Sequence, residues 1–391
     1  MLDRARAIAG QLVAWRREFH QFPELGFQET RTAGRVAGEL VALGYRLRTG
    51  VGGTGVVGER GEGHPVVAIR ADMDALPIQE ENDVPYASQV PGVMHACGHD
   101  AHTAIGLGVA TLLAQQPFPG TLRLLFQPAE EVNGEDGRSG AFHMVDDGAM
   151  EGVDAVLALH VDSLSPCNHI EIGSGPFSAG VDTFYLTIMG QGVHGAYPYQ
   201  GIDPIYITSH VVQALHGIVS RRLNPYDPAV ISVGSIHGGQ ADNVIPERVE
   251  MSGTIRFMQP AVRERIHTEI ERVLGIARAL GGDYELKIEF GALPIINDPQ
   301  VVTVIQQVVL DLLGTDRIRP VTPEMGAEDF SAFTALAPGA MFGLGCQIAG
   351  EERHAHGPWF DIDEDCLPVG AAILTETALR LLKQGDAATG A

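Results

Sequence analysis

Lysine is scarce in this chain of 391 residues, and cysteine is nearly as scarce. Only two of its 26 basic residues are lysines, Lys287 and Lys383, so there is no P-loop lysine and little scope for a Schiff-base lysine. The four cysteines are widely separated: Cys97, Cys167, Cys346 and Cys366. That spacing is not a disulfide framework and is typical of a protein from the reducing cytoplasm.

Basic residues are also few relative to acidic ones, since 49 Asp and Glu against 26 Lys and Arg give a formal charge of −23. A chain this acidic lacks the basic surface that a phosphate backbone or an anionic lipid requires. No apolar run reaches membrane-spanning length, and residues 1–20 are charged throughout rather than patterned as a signal peptide. We therefore expect a cytoplasmic protein with no nucleic-acid and no membrane partner.

Up to about residue 175 the chain alternates helical and strand-like segments. Helical periodicity covers 2–20, 29–43 and 101–115, and short apolar runs typical of strands cover 66–71, 121–126 and 155–160. Buried apolar strands separated by helices predict a mixed, largely parallel sheet in an α/β fold.

The middle of the chain has a different order of segments. After the small-residue stretch 173–180, which we interpret as a linker, the order is β-α-β-β-α-β, which is ferredoxin-like. These segments are 181–189, 203–221, 229–237, 247–257, 260–280 and 284–290. The remaining α/β stretch has a strand at 340–344 and helices at 299–313, from about 328 and at 366–383. Because it is short to fold alone, we predict one domain from 1–180 and 293–391, interrupted by an inserted domain at 181–292.

The densest group of reactive side chains runs from His95 to His102, directly before a predicted helix. It contains three histidines, a cysteine and an aspartate within eight residues. Thiolate and imidazole suit Mn, Zn, Ni or Co, and the spacing of Cys97 and His99 lets both point the same way. A polar loop with a capping aspartate is the simpler interpretation of a single histidine, but the density of this cluster favours a metal site.

Further candidates follow other strands of the predicted sheet. Glu130 and Glu131 come after the second strand, His160 ends the third, and His356 follows the strand near the C-terminus. Taken alone, the glutamates could be an exposed pair and His160 could be structural. Because ligands of open α/β sheets bind outside the carboxyl ends of the strands, their convergence favours one common site.

These groups supply five donors, more than the three protein ligands of a typical catalytic zinc. They are Cys97, His99, Glu131, His160 and His356. Five donors with a bridging group suit two divalent ions about 4 Å apart, which activate a water for hydrolysis. Glu130 then remains to act as the general base. Asp72, after the first strand, either orients a ligand histidine or forms a turn.

Two other interpretations of the first domain are less complete. Gly53, Gly55 and Gly58 match a dinucleotide fingerprint, but that segment leads into a strand rather than a helix, so we reject it. A thiol nucleophile at Cys97 would leave Glu130, among other candidates, without a role.

Three polar residues are candidates in the inserted segment. His194 and Asn243 lie in predicted loops, and Arg256 lies on the polar face of a strand. Each is equally compatible with an ordinary surface residue.

Seven motifs, in this order, carry a family resemblance: MHACGHDAHTA, LLFQPAEE, LALHV, GVHGAYP, ADNVIPERVEMSGTIR, EDFS and HGPWFDIDEDCL. Together they resemble the amidohydrolase branch of the dinuclear-metal aminoacylase and carboxypeptidase family. That branch includes hippurate hydrolases, N-acyl-amino-acid amidohydrolases and plant indoleacetyl-amino-acid hydrolases. The resemblance runs from about Arg17 to Leu381.

The resemblance implies roles for individual residues. The five donors above would be the metal ligands and Glu130 the catalytic base. The inserted domain would be a lid that also dimerises, which implies a homodimer or a higher homo-oligomer. His194 would reach the partner subunit's active site and stabilise the oxyanion, and Asn243 and Arg256 would lie near the substrate carboxylate.

The chain departs from the family pattern at two places. Other branches have His-x-Asp where this chain has Arg70-Ala71-Asp72, so no histidine ligand comes from that strand. The lid loop has Tyr199 where the branch commonly has histidine, so no role for a second lid histidine is implied.

We therefore expect hydrolysis of the amide bond of N-acyl amino acids, N-acetyl or N-benzoyl for example, by a metal-bridged water with Glu130 as general base. The products would be a carboxylic acid and a free amino acid. One alternative is a metallopeptidase of short peptides, either a dipeptidase or a carboxypeptidase. A remoter one is a non-catalytic protein that binds metal or a small molecule, against which Glu130 argues because binding needs only the ligands.

Overall fold

A computed structural model describes residues 1–389, with side chains described as far as residue 384. The described chain divides into two compact units. The first contains Met1–Phe177, Ile295–Thr322 and the residues from Asp329 onward, and the second contains Ser178–Pro294 and Pro323–Glu328.

The strands in chain order are β1 (Arg46–Val51), β2 (Gly55–Glu62), β3 (Val66–Asp72), β4 (Gly120–Gln127), β5 (Ala155–Pro166), β6 (Ile170–Glu171), β7 (Gly175–Met189), β8 (Val193–His194), β9 (Ala229–Gly238), β10 (Val244–Ile245), β11 (Arg248–Phe257), β12 (Asp283–Phe290), β13 (Ile295–Asn297), β14 (Ile318–Arg319), β15 (Glu324–Ala327) and β16 (Gly339–Gln347). The helices are α1 (Leu2–Ala7), α2 (Ala9–Gln21), α3 (Thr30–Ala42), α4 (His99–Ala114), α5 (Gly140–Asp146), α6 (Pro204–Arg222), α7 (Pro260–Ala279), α8 (Pro299–Leu313), α9 (Ser331–Thr334) and α10 (Leu367–Thr389). None of the helices in the described part of the chain is long and apolar enough to cross a membrane.

The first unit is built on an eight-stranded sheet with the order β1-β2-β4-β3-β5-β16-β6-β14. Its centre is parallel, since β3 pairs in parallel with β4 and β5, and β5 pairs in parallel with β16. Every residue of β3 is buried. Val67 and Ile69 face one apolar cluster and Ala68 faces another, so both sides of the sheet are covered. The predicted mixed, largely parallel α/β fold is confirmed.

The second unit contains a sheet with the order β12-β7-β11-β9, in which all three pairs are antiparallel. Helices α6 and α7 share one apolar cluster with these strands. In β11 the residues Val249, Met251, Ile255 and Phe257 are buried while their neighbours are more exposed, as the alternating pattern predicts. The function of this unit as a lid and dimerisation domain stays a prediction.

Two local predictions are wrong. The stretch 173–180 is not simply a linker, because β7 begins at Gly175; Gly180 pairs with Phe257, whose ring would collide with any Cβ at that glycine. The helix expected from Glu328 begins only at Ser331 and has four residues. Pro338 and Gly339 follow closely, and both disfavour further helix.

Candidate metal centre

Separate segments of the first unit carry the five predicted ligands. Cys97 precedes α4, His99 begins it, Glu131 follows β4, His160 lies within β5, and His356 lies in the loop after β16. The prediction that His160 ends its strand is wrong. Strand β5 continues beyond His160 to Pro166, because β16 pairs with it as far as that residue.

The structure brings the five side chains together in overlapping groups. The candidate ligand atoms of Cys97, His99 and His160 all lie within 4.8 Å of one another, and so do those of Cys97, Glu131 and His356. Cys97 Sγ lies 3.5 Å from His160 Nε2, and His356 Nε2 lies 3.1 Å from Glu131 Oε1. Since Cys97 belongs to both groups, the arrangement offers two adjoining ligand sets.

Glu130 adjoins this cluster, because its carboxylate also groups with His99 and Glu131 within 4.8 Å. The residue before it, Ala129, has a φ of +45°, which an L-residue adopts rarely. The buried Glu29 accepts a hydrogen bond of 2.8 Å from Ala129 N and thereby fixes this turn. Sequence reasoning missed Glu29, since nothing around it indicates contact with a loop so distant along the chain.

Asp74 holds two of the candidate ligands. His99 Nδ1 lies 3.1 Å from Asp74 Oδ1, and Glu131 N donates to Asp74 Oδ2 at 3.0 Å. With Nδ1 turned to this carboxylate, the Nε2 lone pair of His99 is directed elsewhere, which is how orienting carboxylates act in metal sites. The sequence offered only one weak signal for Asp74, its place just beyond β3.

Asp72, which the sequence predicts to orient a ligand histidine, contacts two histidines unequally. Its Oδ1 lies 2.6 Å from His102 Nδ1, whereas its Oδ2 is 3.6 Å from His99 Nε2. Arg70 Nη1 lies 2.5 Å from Asp72 Oδ2. Burial raises the pKa of Asp72, but Arg70 and the nearby histidines lower it well below its usual range.

Arg70 belongs to a buried polar network that sequence reasoning missed. Arg70 Nε donates to Gln127 Oε1 at 2.7 Å, and Arg70 Nη2 donates to Asp329 Oδ1 at 3.1 Å. Asp329 also accepts from Gln127 Nε2 and from Ser139 Oγ. The network joins the ends of β3 and β4 to the residues before α5 and α9. It therefore holds in place the strand ends that precede the candidate residues.

Negative charge accumulates around the candidate ligands. Although burial lowers it, Asp72 and Cys97 raise the pKa of His99 well above its ordinary value. Desolvation raises the pKa of the Cys97 thiol. Burial also raises the pKa of Glu131, but the hydrogen bond from His356 and the charge of His99 lower it overall. Such surroundings attract a cation, and a metal ion would displace the protons from thiol and imidazole.

The donor set therefore fits a divalent metal. His99 Nε2 is buried and has no hydrogen-bond partner within the described chain, although its neighbours are thiol, carboxylate and imidazole groups. Cys, His and Glu side chains together suit zinc and the other borderline ions rather than calcium or magnesium.

The candidate residues of the second unit lie in two places, a small β-ribbon and strand β11. His194 in β8 pairs with Val244 in β10, and Gly195 N donates to Asn243 O at 2.7 Å, so His194 and Asn243 share one small ribbon. Both side chains are exposed. Arg256 lies on β11, is half-buried, and donates from Nε to Thr254 Oγ1 at 3.1 Å.

The sequence profile of peptidase family M20/M25/M40 matches residues 68–380. The chain is 39% identical over 377 residues to thermostable carboxypeptidase 1 of Saccharolobus solfataricus, with 94% of each chain covered. It is 36% identical over 386 residues to N-acetyl-L-cysteine deacetylase of Bacillus subtilis, covering 96% of this chain and 89% of the relative. A solved structure of the Bacillus subtilis protein YXEP, described as a dinuclear metal binding peptidase of family M20, matches with a TM-score of 0.85 at 34% identity. That match covers 97% of this chain and 99% of the other.

The chain belongs to peptidase family M20/M25/M40, which confirms the resemblance inferred from its motifs. It is a metal-dependent hydrolase of the amidohydrolase type.

Proposed function

We propose that this enzyme hydrolyses the amide bond of N-acyl amino acids to a carboxylic acid and a free amino acid. The observation that carries the proposal is the convergence of five donors from separate segments with one further carboxylate, Glu130, beside them. A protein that only bound metal would need the donors and not the adjoining base.

The proposed ligands are Cys97, His99, Glu131, His160 and His356, which would hold two divalent ions of Mn, Zn, Ni or Co. Bound there, these ions would polarise the amide carbonyl and lower the pKa of a water. Asp74 keeps His99 and the main chain of Glu131 in place for this purpose.

Glu130 would accept the proton of the attacking water as the new carbon–oxygen bond forms. It would then pass that proton to the amide nitrogen as the carbon–nitrogen bond breaks, so that the amino acid leaves as a neutral amine. The rigid turn at Ala129, fixed by Glu29, supports this role because it limits the movement of the next side chain.

The second unit would act as the lid and join two subunits in a homodimer. His194 of one subunit would donate a hydrogen bond to the oxyanion that forms in its partner's site. Asn243 and Arg256 would bind the carboxylate of the amino acid, for which a guanidinium and an amide are suited donors.

The relative named a deacetylase of N-acetyl-L-cysteine supports N-acyl amino acids as substrates. The relative named a carboxypeptidase keeps peptide hydrolysis as a second candidate. A panel of N-acetyl and N-benzoyl amino acids and dipeptides separates them. Higher kcat/KM for dipeptides than for every N-acyl amino acid would reverse the order.

Replacing Glu130 with Gln tests the mechanism. The Glu130→Gln variant should keep its metal content and lose turnover by about 10²–10⁴-fold, because the amide cannot take the proton. Glu135→Gln, at an exposed position a few residues along, is the matched control and should behave as the unaltered enzyme. Elemental analysis and initial rates report the two properties. Unchanged turnover in Glu130→Gln would show that another group is the base.

A further inference from the structure

His102 belongs to the motif that carries Cys97 and His99, yet the proposed mechanism gives it no part. It is 2% exposed and lies within the first turns of α4. Its ring is 4.7 Å from the ring of His160, centroid to centroid, in an edge-to-face arrangement. A buried imidazole needs hydrogen-bond partners for both of its ring nitrogens.

Both ring nitrogens of His102 are already occupied. Val161 N donates a hydrogen bond of 3.0 Å to His102 Nε2, and an amide N–H can only donate, so Nε2 carries no proton. The proton is then on Nδ1, which lies 2.6 Å from Asp72 Oδ1 and donates to it. With its one lone pair engaged, His102 cannot itself be a metal ligand, although its distances to Asp72 and His99 would otherwise allow a site.

The hydrogen bond from Val161 falls where β5 loses a neighbour. Strand β3 pairs with β5 only as far as Ile69 opposite Leu157, while β16 continues along the other side. Beyond Leu157 the inner edge of β5 needs another acceptor for its amide groups, since a buried unpaired N–H is costly. His102 supplies that acceptor at Val161.

The carbonyl of the same residue fixes the ring of His160. His160 Nδ1 lies 2.8 Å from Val161 O, which places the donor of His160 on its neighbour's main chain. The opposite nitrogen, Nε2, then faces Cys97 Sγ at 3.5 Å. Val161 is thus hydrogen-bonded to two histidines. Its N–H donates to His102, and its carbonyl accepts from His160.

We propose that His102 is a positioning residue, which replaces β3 as the partner of β5 and so keeps His160 turned toward Cys97. This inference rests on the metal site proposed above. Arg70 extends the arrangement, because it anchors Asp72, the carboxylate to which His102 donates. His102 therefore acts on the metal through the backbone of β5 and does not touch it.

Zinc binding to metal-stripped protein tests the proposal, with Kd measured in competition with a chelator of known affinity. His102→Phe keeps a planar aromatic ring and removes both hydrogen bonds, so binding at one of the two zinc sites should weaken by about 10–100-fold. His102→Gln retains an acceptor and a donor and should recover part of that loss.

Thr103→Val is the matched control. Thr103 is buried beside His102 and donates from Oγ1 to Asp72 O at 2.7 Å, but it makes no hydrogen bond to β5. The Thr103→Val variant should have a lower melting temperature than the unaltered protein but the same affinity for zinc at both sites. Equal zinc affinity in His102→Phe and the unaltered protein would overturn the proposal, and so would an equal loss in Thr103→Val. An unaltered protein that binds none of Zn²⁺, Mn²⁺, Ni²⁺ and Co²⁺ would refute the metal site itself.

A measurement on the unaltered protein covers the case in which His102→Phe does not fold. In a protein labelled uniformly with ¹⁵N, the His102 signals should report a protonated Nδ1 and an unprotonated Nε2 coupled to the Val161 amide. A proton on Nε2 would overturn the proposal.

Discussion

Between two of the proposed ligands, Gly98 has a φ of +92° and precedes the first residue of α4. A Cβ built there would lie 2.2 Å from Val161 Cγ2, so any other residue would be both strained and obstructed. The glycine thus lets the main chain carrying Cys97 and His99 pass directly against β5.

Gly98→Ala should destabilise the protein by about 2–4 kcal/mol and reduce the metal bound, because the two ligands on either side must shift. Gly92→Ala is the control, since Gly92 also has a positive φ, +75°, but no heavy atom of the described chain, apart from Gly92 and its two neighbours in sequence, lies within 4 Å of its Cβ position. It should lose only about 1 kcal/mol from backbone strain. Urea unfolding and elemental analysis measure both. Equal losses in the two variants would exclude the close packing as the cause.

The sequence indicates the candidate ligand residues more clearly than the groups around them. Cys97, His99 and Glu131 stand in dense or paired motifs whose chemistry is visible without a fold. Glu29 and Asp329 carry no such pattern, and their part in the site depends on contacts between segments far apart in the chain.

At the scale of elements, one buried arginine connects three segments near the candidate site. Arg16 on α2 donates to Asp100 at the start of α4 at 2.8 Å, and to Asp361, in the loop beyond His356, at 2.9 Å. Its side chain is fully buried. The start of α4, which carries His99, and the loop that carries His356 are therefore both tied to α2.

Arg16→Met should lower the free energy of unfolding by about 3–5 kcal/mol, because it removes the guanidinium that pairs with both Asp100 and Asp361 and leaves these carboxylates buried. The neighbouring Arg17 is the matched control, since its half-exposed side chain pairs only with Glu364 among the acids of the described chain. Arg17→Met should change stability by about 0–1 kcal/mol. Guanidinium unfolding measures both, and similar effects would show that burial of the ion pairs is not decisive.

In the second unit, Asp182 joins β7 to α7. Arg263 donates two hydrogen bonds to its carboxylate, of 2.8 and 2.6 Å, and His267 Nε2 lies 2.8 Å from Asp182 Oδ2. Burial raises the pKa of Asp182, but the hydrogen bonds from His267 and Arg263 lower it below its ordinary value.

This lowered pKa predicts the direction of an acid effect on stability. The folded-state pKa of Asp182 lies below the unfolded value of about 3.9. The stability that ionised Asp182 contributes is therefore present above that pH and is lost as pH falls through the folded-state pKa. Asp182→Asn should remove this part of the acid dependence, whereas the exposed Asp242→Asn should retain it. Urea midpoints measured from neutral to acid pH make the comparison. An unchanged acid slope in Asp182→Asn would contradict the assignment.

Elements with strong patterns could be predicted, and elements that depend on their neighbours could not. Helix α8 occupies the predicted range, since its apolar residues recur regularly and Asp298 caps it. Strands β1 and β2 are rich in glycine and charged residues, and β2 is strand because β4 pairs with it. The end of β5 likewise depends on β16.

At the scale of the whole molecule, metal ions bound by the five proposed ligands, which come from distant segments, should stabilise the folded chain. A free metal concentration of 100 times the Kd adds about 2.7 kcal/mol to the free energy of unfolding for one site. Removal by a chelator should therefore lower the melting temperature by several degrees, and added Mn²⁺ or Zn²⁺ should restore it. Glu131→Gln should respond much less to either treatment. A melting temperature that the chelator leaves unchanged would contradict the proposed ligand set.

The position of β16 in the sheet also bears on how the chain is synthesised. Four of the proposed ligands precede residue 161, but β16, which flanks β5, begins only at Gly339, after the second unit. At ~5–20 residues per second, a ribosome needs on the order of ten seconds or more to cover that interval. During that time the nascent chain carries β5 with one edge uncovered, which is a template for wrong pairing. The residues of the second unit thus delay completion of the sheet, and this chain is one for which a holding chaperone would matter before translation ends.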